Sequence, residues 1–90
     1  MSDVDEKKPN AGREEYFIPR LRTMRLLNGW SIAKMAQQAG VDWATIDKIE
    51  KHKGVYDYIA AKVHSAVSAN LGPAYKNPSK EITNSRRPLR

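Results

Sequence analysis

The chain contains no cysteine. That excludes a disulfide framework and any thiolate metal centre. Histidine is almost as scarce. His52 and His64 stand alone on different predicted helices, without the neighbouring ligands a metal needs, so no metal site is expected. No apolar run approaches the ~20 residues of a membrane span. The opening MSDVDEKKPNAG is acidic and polar, unlike a signal peptide. Paired carboxylates, a Ser/His/Asp set and a phosphate-cradling glycine loop are missing too. These absences lead to the expectation of a cytoplasmic protein that is not an enzyme, takes no cofactor and does not touch a membrane.

Ninety residues allow one small domain. Residues 1–15 hold three basic and five acidic side chains, residues 16–71 eight and four, and residues 72–90 five and one. The predicted domain and the C-terminal end are therefore both basic, within a net charge of +6. Basic side chains near phosphates release condensed counterions, which suits a polyanionic partner. Residues 1–15 lack apolar periodicity and are expected to be a disordered acidic segment. Residues 16–72 are expected to fold. Residues 73–90, interrupted by proline and poor in apolar side chains, are expected to form a flexible basic tail.

Within 16–72 the apolar spacing predicts four helices. The first begins near Pro19, carries Ile18, Leu21, Met24 and Leu27, and stops at Asn28-Gly29. Trp30 follows and is expected in the core. Ser31 is a good N-cap for a second helix with the stripe Ile32, Met35, Ala36 and Ala39. Gly40 can take the left-handed conformation that ends it. Asp42 is placed to cap a third helix running to about His52, and Gly54 breaks the chain. Asp57 is placed to cap a fourth, which turns Ile59, Val63, Ala66, Val67 and Leu71 inward and closes at Gly72-Pro73.

The stretch from Ile32 to Lys51, IAKMAQQAGVDWATIDKIEK, is the most informative. Its small residues at Ala36 and Gly40 and its apolar set Met35, Ala39, Val41, Ile46 and Ile49 fit two short helices crossing at a tight turn. With Ile46 and Ile49 inward, Ala44, Asp47, Lys48 and Lys51 face outward at helical spacing. Lys48 can donate to guanine O6 or N7, Asp47 can accept from cytosine N4, and Ala44 can touch a thymine methyl. Trp43 has three open placements: against a sugar or thymine methyl, in a protein interface, or folded on its own core.

With LRTMR in the first helix, GWS before the second, MAQQAGVDWATIDKIE across the turn and the Glu50-Lys51 exit, residues 21–71 resemble the Xre/Cro-type helix-turn-helix family. The resemblance implies an all-α, four-helix lambda-repressor-like domain, with room for a short fifth helix and flexible termini. It implies a dimeric transcriptional regulator that puts its third helix into the DNA major groove at an inverted-repeat operator, in a bacterial, phage or mobile-element setting. By position, Trp43, Ala44, Asp47 and Lys48 match base-facing residues, and Lys51 and Lys53 match phosphate contacts. Arg25 and Glu50 match a structural ion pair. Arg20, Arg22, Lys34, Arg86 and Arg87 are further basic candidates for phosphate contact. Two features depart from the family: at the expected interface Ile32 replaces a phosphate-anchoring glutamine while Asp42 and Asp47 bring negative charge, and at the C-terminus Gly72-Pro73 leads into a polar tail where many relatives add a fifth helix that builds the dimer interface. Ile32, Trp43 and the two aspartates suit an alternative function, a protein-interaction module such as an antitoxin-like partner or antiactivator.

Overall fold

The computed structural model describes residues 14–84. Strand β1 (Tyr16–Phe17) is followed by helices α1 (Leu21–Leu27), α2 (Ile32–Ala39), α3 (Trp43–Glu50) and α4 (Asp57–Ser68). A 3₁₀ turn (Pro73–Tyr75), a one-turn helix α5 (Pro78–Glu81) and strand β2 (Thr83–Asn84) complete it. Residues 1–13, most of the expected disordered segment, lie outside the described residues.

The first three helices stop by the same device. In each, a residue in the left-handed region reverses the chain, and two amide groups fold back onto carbonyls of the last turn. Gly29 has φ 74° and Gly40 has φ 70°; the third stop is His52, at φ 60°. The paired bonds are Trp30 N–H to Arg25 and Gly29 N–H to Leu26, Val41 N–H to Ala36 and Gly40 N–H to Gln37, and Lys53 N–H to Lys48 and His52 N–H to Ile49. A side chain in this region costs roughly 1–2 kcal/mol. The His52 ring meets Phe17 edge-on, with centroids 5.5 Å apart. The third helix, expected to run to about His52, ends at Glu50, and His52 reverses the chain before Gly54 is reached.

Ser31 caps α2 as expected, its hydroxyl accepting from the Lys34 amide at 3.0 Å. Asp42 holds the N-cap position of α3, but its side chain makes no capping hydrogen bond. Tyr56, not Asp57, is the N-cap of α4.

The core is Ile18, Leu21, Met24, Met35, Ala36, Ala39, Ile46, Ile49, Val55, Ala60, Val63 and Val67. Helix α2 packs on both α3 and α4, with Ala36 and Ala39 at the contact where small side chains allow close approach. Two expectations shift. Leu27 is exposed rather than buried. In α4 the buried positions are Ala60, Val63, His64, Val67 and Ser68, while Ile59, Ala66 and Leu71 are only partly covered. The stripe is rotated slightly because α4 faces both α1 and α2. Asn28 joins α1 to α4, donating from Nδ2 to the carbonyls of Met24 (2.9 Å) and Val67 (3.0 Å).

Two corrections concern the ends of the domain. The fold is mostly helical but not all-α, because β1 and β2 form a two-stranded antiparallel sheet. Tyr16 pairs with Asn84 and Phe17 with Thr83, while Tyr16 also bridges Val55 on its other side. The expected flexible tail is consequently structured through Asn84: residues 73–84 form a strap that returns across α4 to the start of the fold. Its local code is Asn77-Pro78, where the Asn77 side chain accepts from the Ser79 amide at 3.0 Å and proline opens α5.

Gly54 serves the β1 bridge. A Cβ there would fall 2.6 Å from the Glu14 carbonyl carbon and 2.7 Å from Glu15 Cα, and closer still to the Glu14 carbonyl oxygen. Backbone cannot yield as a side-chain end can. Gly54→Ala is expected to destabilise the domain by about 1–3 kcal/mol, the usual range for overpacking. Gly72→Ala, where a Cβ meets nothing within 4 Å, should stay within about 0.5 kcal/mol. Chemical denaturation of both variants checks this; equal stability would mean that β1 does not lie against Gly54.

Candidate nucleic-acid interface

Helices α2 and α3, eight residues each, are joined by Gly40, Val41 and Asp42, the turn length of a helix-turn-helix. The inner side of α3 carries Ile46 and Ile49, both fully buried. Successive residues on a helix are 100° apart, so Ala44, Asp47 and Lys48 share the opposite side, while Trp43, three residues before Ile46, lies on the flank between the two. Trp43 is 52% exposed. Of its three expected placements, burial in its own core is thereby excluded. Ala44 is exposed, and Asp47 and Lys48 are half-buried.

The two lysines on α3 and its cap carry carboxylate partners. Lys51 Nζ lies 3.1 Å from Asp47 Oδ2, one helical turn back. Lys48 Nζ lies 3.4 Å from Glu14 Oε1, delivered by the segment before β1. Sequence reading missed Glu14, because it stands far from Lys48 along the chain and only the Val55 bridge brings the two together. Pairs this exposed contribute about 0–1 kcal/mol, so a stronger anion can displace either carboxylate.

The far end of α3 is fastened to α1. Arg25 donates from Nε to Glu50 Oε2 at 2.6 Å and from its second terminal nitrogen to Glu50 Oε1 at 3.0 Å. Its remaining terminal nitrogen donates to the Trp30 carbonyl at 3.0 Å. The two side chains are only 9% and 8% exposed. The Arg25 pKa is raised, because its hydrogen bonds to Glu50 outweigh the opposing effect of burial. The expected ion pair is present, and it also reaches the turn before α2.

The remaining basic candidates separate. Arg22 and Lys34 are exposed on α1 and α2, and Lys53 is exposed just past α3. Arg86 and Arg87 lie outside the described residues. Arg20 does not project freely towards a phosphate. Its guanidinium makes a bidentate pair with Glu81, donates to the Ala74 carbonyl at 3.1 Å, and stands over the Tyr75 ring at 4.5 Å. Its expected role as a phosphate contact is corrected to a structural one. Ile32, at the position where a glutamine would anchor phosphate, is half-buried and packs on the core.

Comparison with protein-family models, curated proteins and solved structures returned no match. No helix among the described residues is long and apolar enough to cross a membrane.

The Arg25–Glu50 pair yields a stability test. Glu50→Ala leaves a nearly buried guanidinium with only the Trp30 carbonyl as partner, and should destabilise the domain by about 3 kcal/mol. Chemical denaturation reads this directly, and a loss under about 1 kcal/mol would assign the pair the value of a surface contact.

Proposed function

We propose that the chain is a sequence-specific DNA-binding regulator of the Xre/Cro, lambda-repressor-like type. It acts as a homodimer and lays α3 in the major groove of an inverted-repeat site. The observation that carries this reading is the disposition of α3. The helix is fixed along its inner side by Ile46 and Ile49 and at its end by Arg25, while Ala44, Asp47 and Lys48 stand on its outer side and Trp43 is exposed on its flank. A helix held this rigidly, with one small and two charged side chains outward, suits base-edge readout. Lys34 and Lys53 supply exposed positive charge near the two ends of the α2–α3 unit, where phosphates flank a helix seated in the groove.

A protein-interaction module is the second reading, and one feature favours it. Trp43 is a large apolar side chain left half exposed at the start of α3, beside Asp42. Aromatic anchors of this kind recur in protein interfaces. DNA binding should weaken steeply with salt, whereas docking through Trp43 should change little.

The two readings diverge most clearly at two lysines. Lys48→Ala should cost about 1–3 kcal/mol on a cognate duplex and relax preference at one base pair. Lys51→Ala should weaken cognate and random duplexes alike, since phosphate carries no base identity. Each variant removes one positive charge, so the contrast isolates base reading from charge. Equal losses on both duplexes for both variants would reduce Lys48 to a phosphate contact. Unchanged binding in folded variants of both lysines would move the assignment to the protein-interaction reading, with Trp43→Ala as its probe.

A further inference from the structure

In a chain that is 29% charged, two long stretches hold no Asp, Glu, Lys or Arg. The longest is residues 63–75, VHSAVSANLGPAY, between Lys62 and Lys76. The next is residues 26–33, LLNGWSIA, between Arg25 and Lys34. The fold brings the two together. Asn28, in the second run, donates from Nδ2 to the carbonyl of Val67, in the first, at 3.0 Å. The end of α1 therefore adjoins the last turn of α4. This junction faces outward. Leu26 is 54% and Leu27 56% exposed, two of the four large apolar side chains left open among the described residues. Exposed Ala69 and Asn70 and half-buried Leu71 continue the surface on the α4 side. A single exposed leucine needs no explanation. Two adjacent ones inside a surface cleared of charge do.

The junction stands apart from the elements already assigned. Leu27 is two residues past Arg25, which puts it about 160° around α1 from the side that Arg25 turns to α3. The strap meets the start of α1 through Arg20 and α4 through His64. The far end of α1 stays uncovered.

We infer that the adjoining ends of α1 and α4 are the surface on which a second copy of this chain docks, with Leu26 and Leu27 at its centre. The occupant follows from charge. At net +6, two copies repel. A two-fold contact sets one patch against the same patch, so a cation near the axis faces its own counterpart. Only a surface free of charge meets itself without that penalty. An acidic protein or an anionic lipid surface is recruited by lysines and arginines. Here those stand at the rim: Arg22 one turn before Leu26, and Lys76, whose Nζ lies 3.3 Å from the Ala69 carbonyl oxygen. An apolar centre with a charged rim is the common anatomy of a protein contact. The inference rests on the proposed homodimeric DNA-binding reading for its purpose, and it leaves the outer side of α3 clear. The contact itself is tested without DNA.

Sedimentation equilibrium of the full chain, from micromolar to millimolar concentration, should show the mass rising from one 10.2-kDa chain towards two. Added salt should strengthen the association, because it screens repulsion between two cationic copies. Leu27→Lys should weaken it about tenfold or more, since it places an unpaired charge in the contact. Gln38→Lys adds the same charge at an exposed position of α2 outside both runs and should change it less than about twofold. Trp43→Ala should leave it unaltered. A chain that stays monomeric over the whole range gives the patch to a different partner and overturns the inference. Equal weakening by Leu27→Lys and Gln38→Lys also overturns it, as does association that salt dissolves. Loss of the dimer in Trp43→Ala would move the contact to the flank of α3, with the same consequence. Should Leu27→Lys unfold the domain, Leu26→Lys, at a side chain equally open in the single chain, carries the test. Duplex binding by the unaltered chain is measured separately; its absence at low salt overturns the DNA reading and leaves the docking surface standing.

Discussion

A single guanidinium organises the candidate interface. Arg25 spends three of its five N–H donors on two different elements: two on Glu50 at the end of α3 and one on the Trp30 carbonyl in the turn before α2. Its own carbonyl accepts the Trp30 amide at 3.2 Å, so the turn is gripped from both sides. An eight-residue helix has no stability of its own in water. Helix α3 exists because Ile46 and Ile49 are buried against the core and because Glu50 is held by Arg25. The exit of α3 then fixes everything after it. His52 reverses the chain, Gly54 lets the backbone at Glu14 and Glu15 approach, and Val55 bridges Tyr16. Tyr16 in turn pairs with Asn84. Moving Glu50 would displace α3 and the sheet together.

Much of the helical part is written locally. Gly29 and Gly40 mark their helix ends because a left-handed residue is cheapest as glycine, and Ser31 marks a helix start because its hydroxyl satisfies a free amide. The alternation of Met35, Ala36 and Ala39 with Ile46 and Ile49 locates the contact between α2 and α3. What sequence reading missed has a common physical character. His52 takes a conformation that its residue type disfavours, and it does so where Phe17, distant in sequence, lies against its ring. Glu14 meets Lys48, and Arg20 meets Glu81, through contacts that no local spacing encodes. The strap was read as loose because it is short of apolar residues. Its order comes instead from two backbone pairings and an ion pair in which Glu81 is buried and Arg20 half exposed. Asn77-Pro78 was a legible helix start that composition obscured.

The candidate interface was legible to the extent that it depends on helix phase. Ala44, Asp47 and Lys48 fall on one side of α3 as the spacing requires, and Trp43 is exposed on its flank. The electrostatic state of that side was not legible. Lys48 and Lys51 each face a carboxylate of the same chain, and Arg20 is paired with Glu81. Each of these pairs is neutral, so the net charge of +6 is carried by other side chains. Under the proposed DNA-binding reading, a phosphate or base acceptor would displace Glu14 or Asp47 and regain only part of the Coulomb energy, because the displaced carboxylate remains nearby. That would suppress binding to arbitrary sequence more than binding to a site whose acceptors match Lys48 well, favouring selectivity over strength.

The central claim is that α3 reads base sequence and that two copies do so about a two-fold axis. Selection of bound duplexes from a random library by the full chain tests it most directly. The account predicts enrichment of an inverted repeat whose half-sites lie about one helical turn apart. Recovery of an unenriched pool by folded protein would contradict it, and a pool enriched only for a single unrepeated half-site would contradict the dimer.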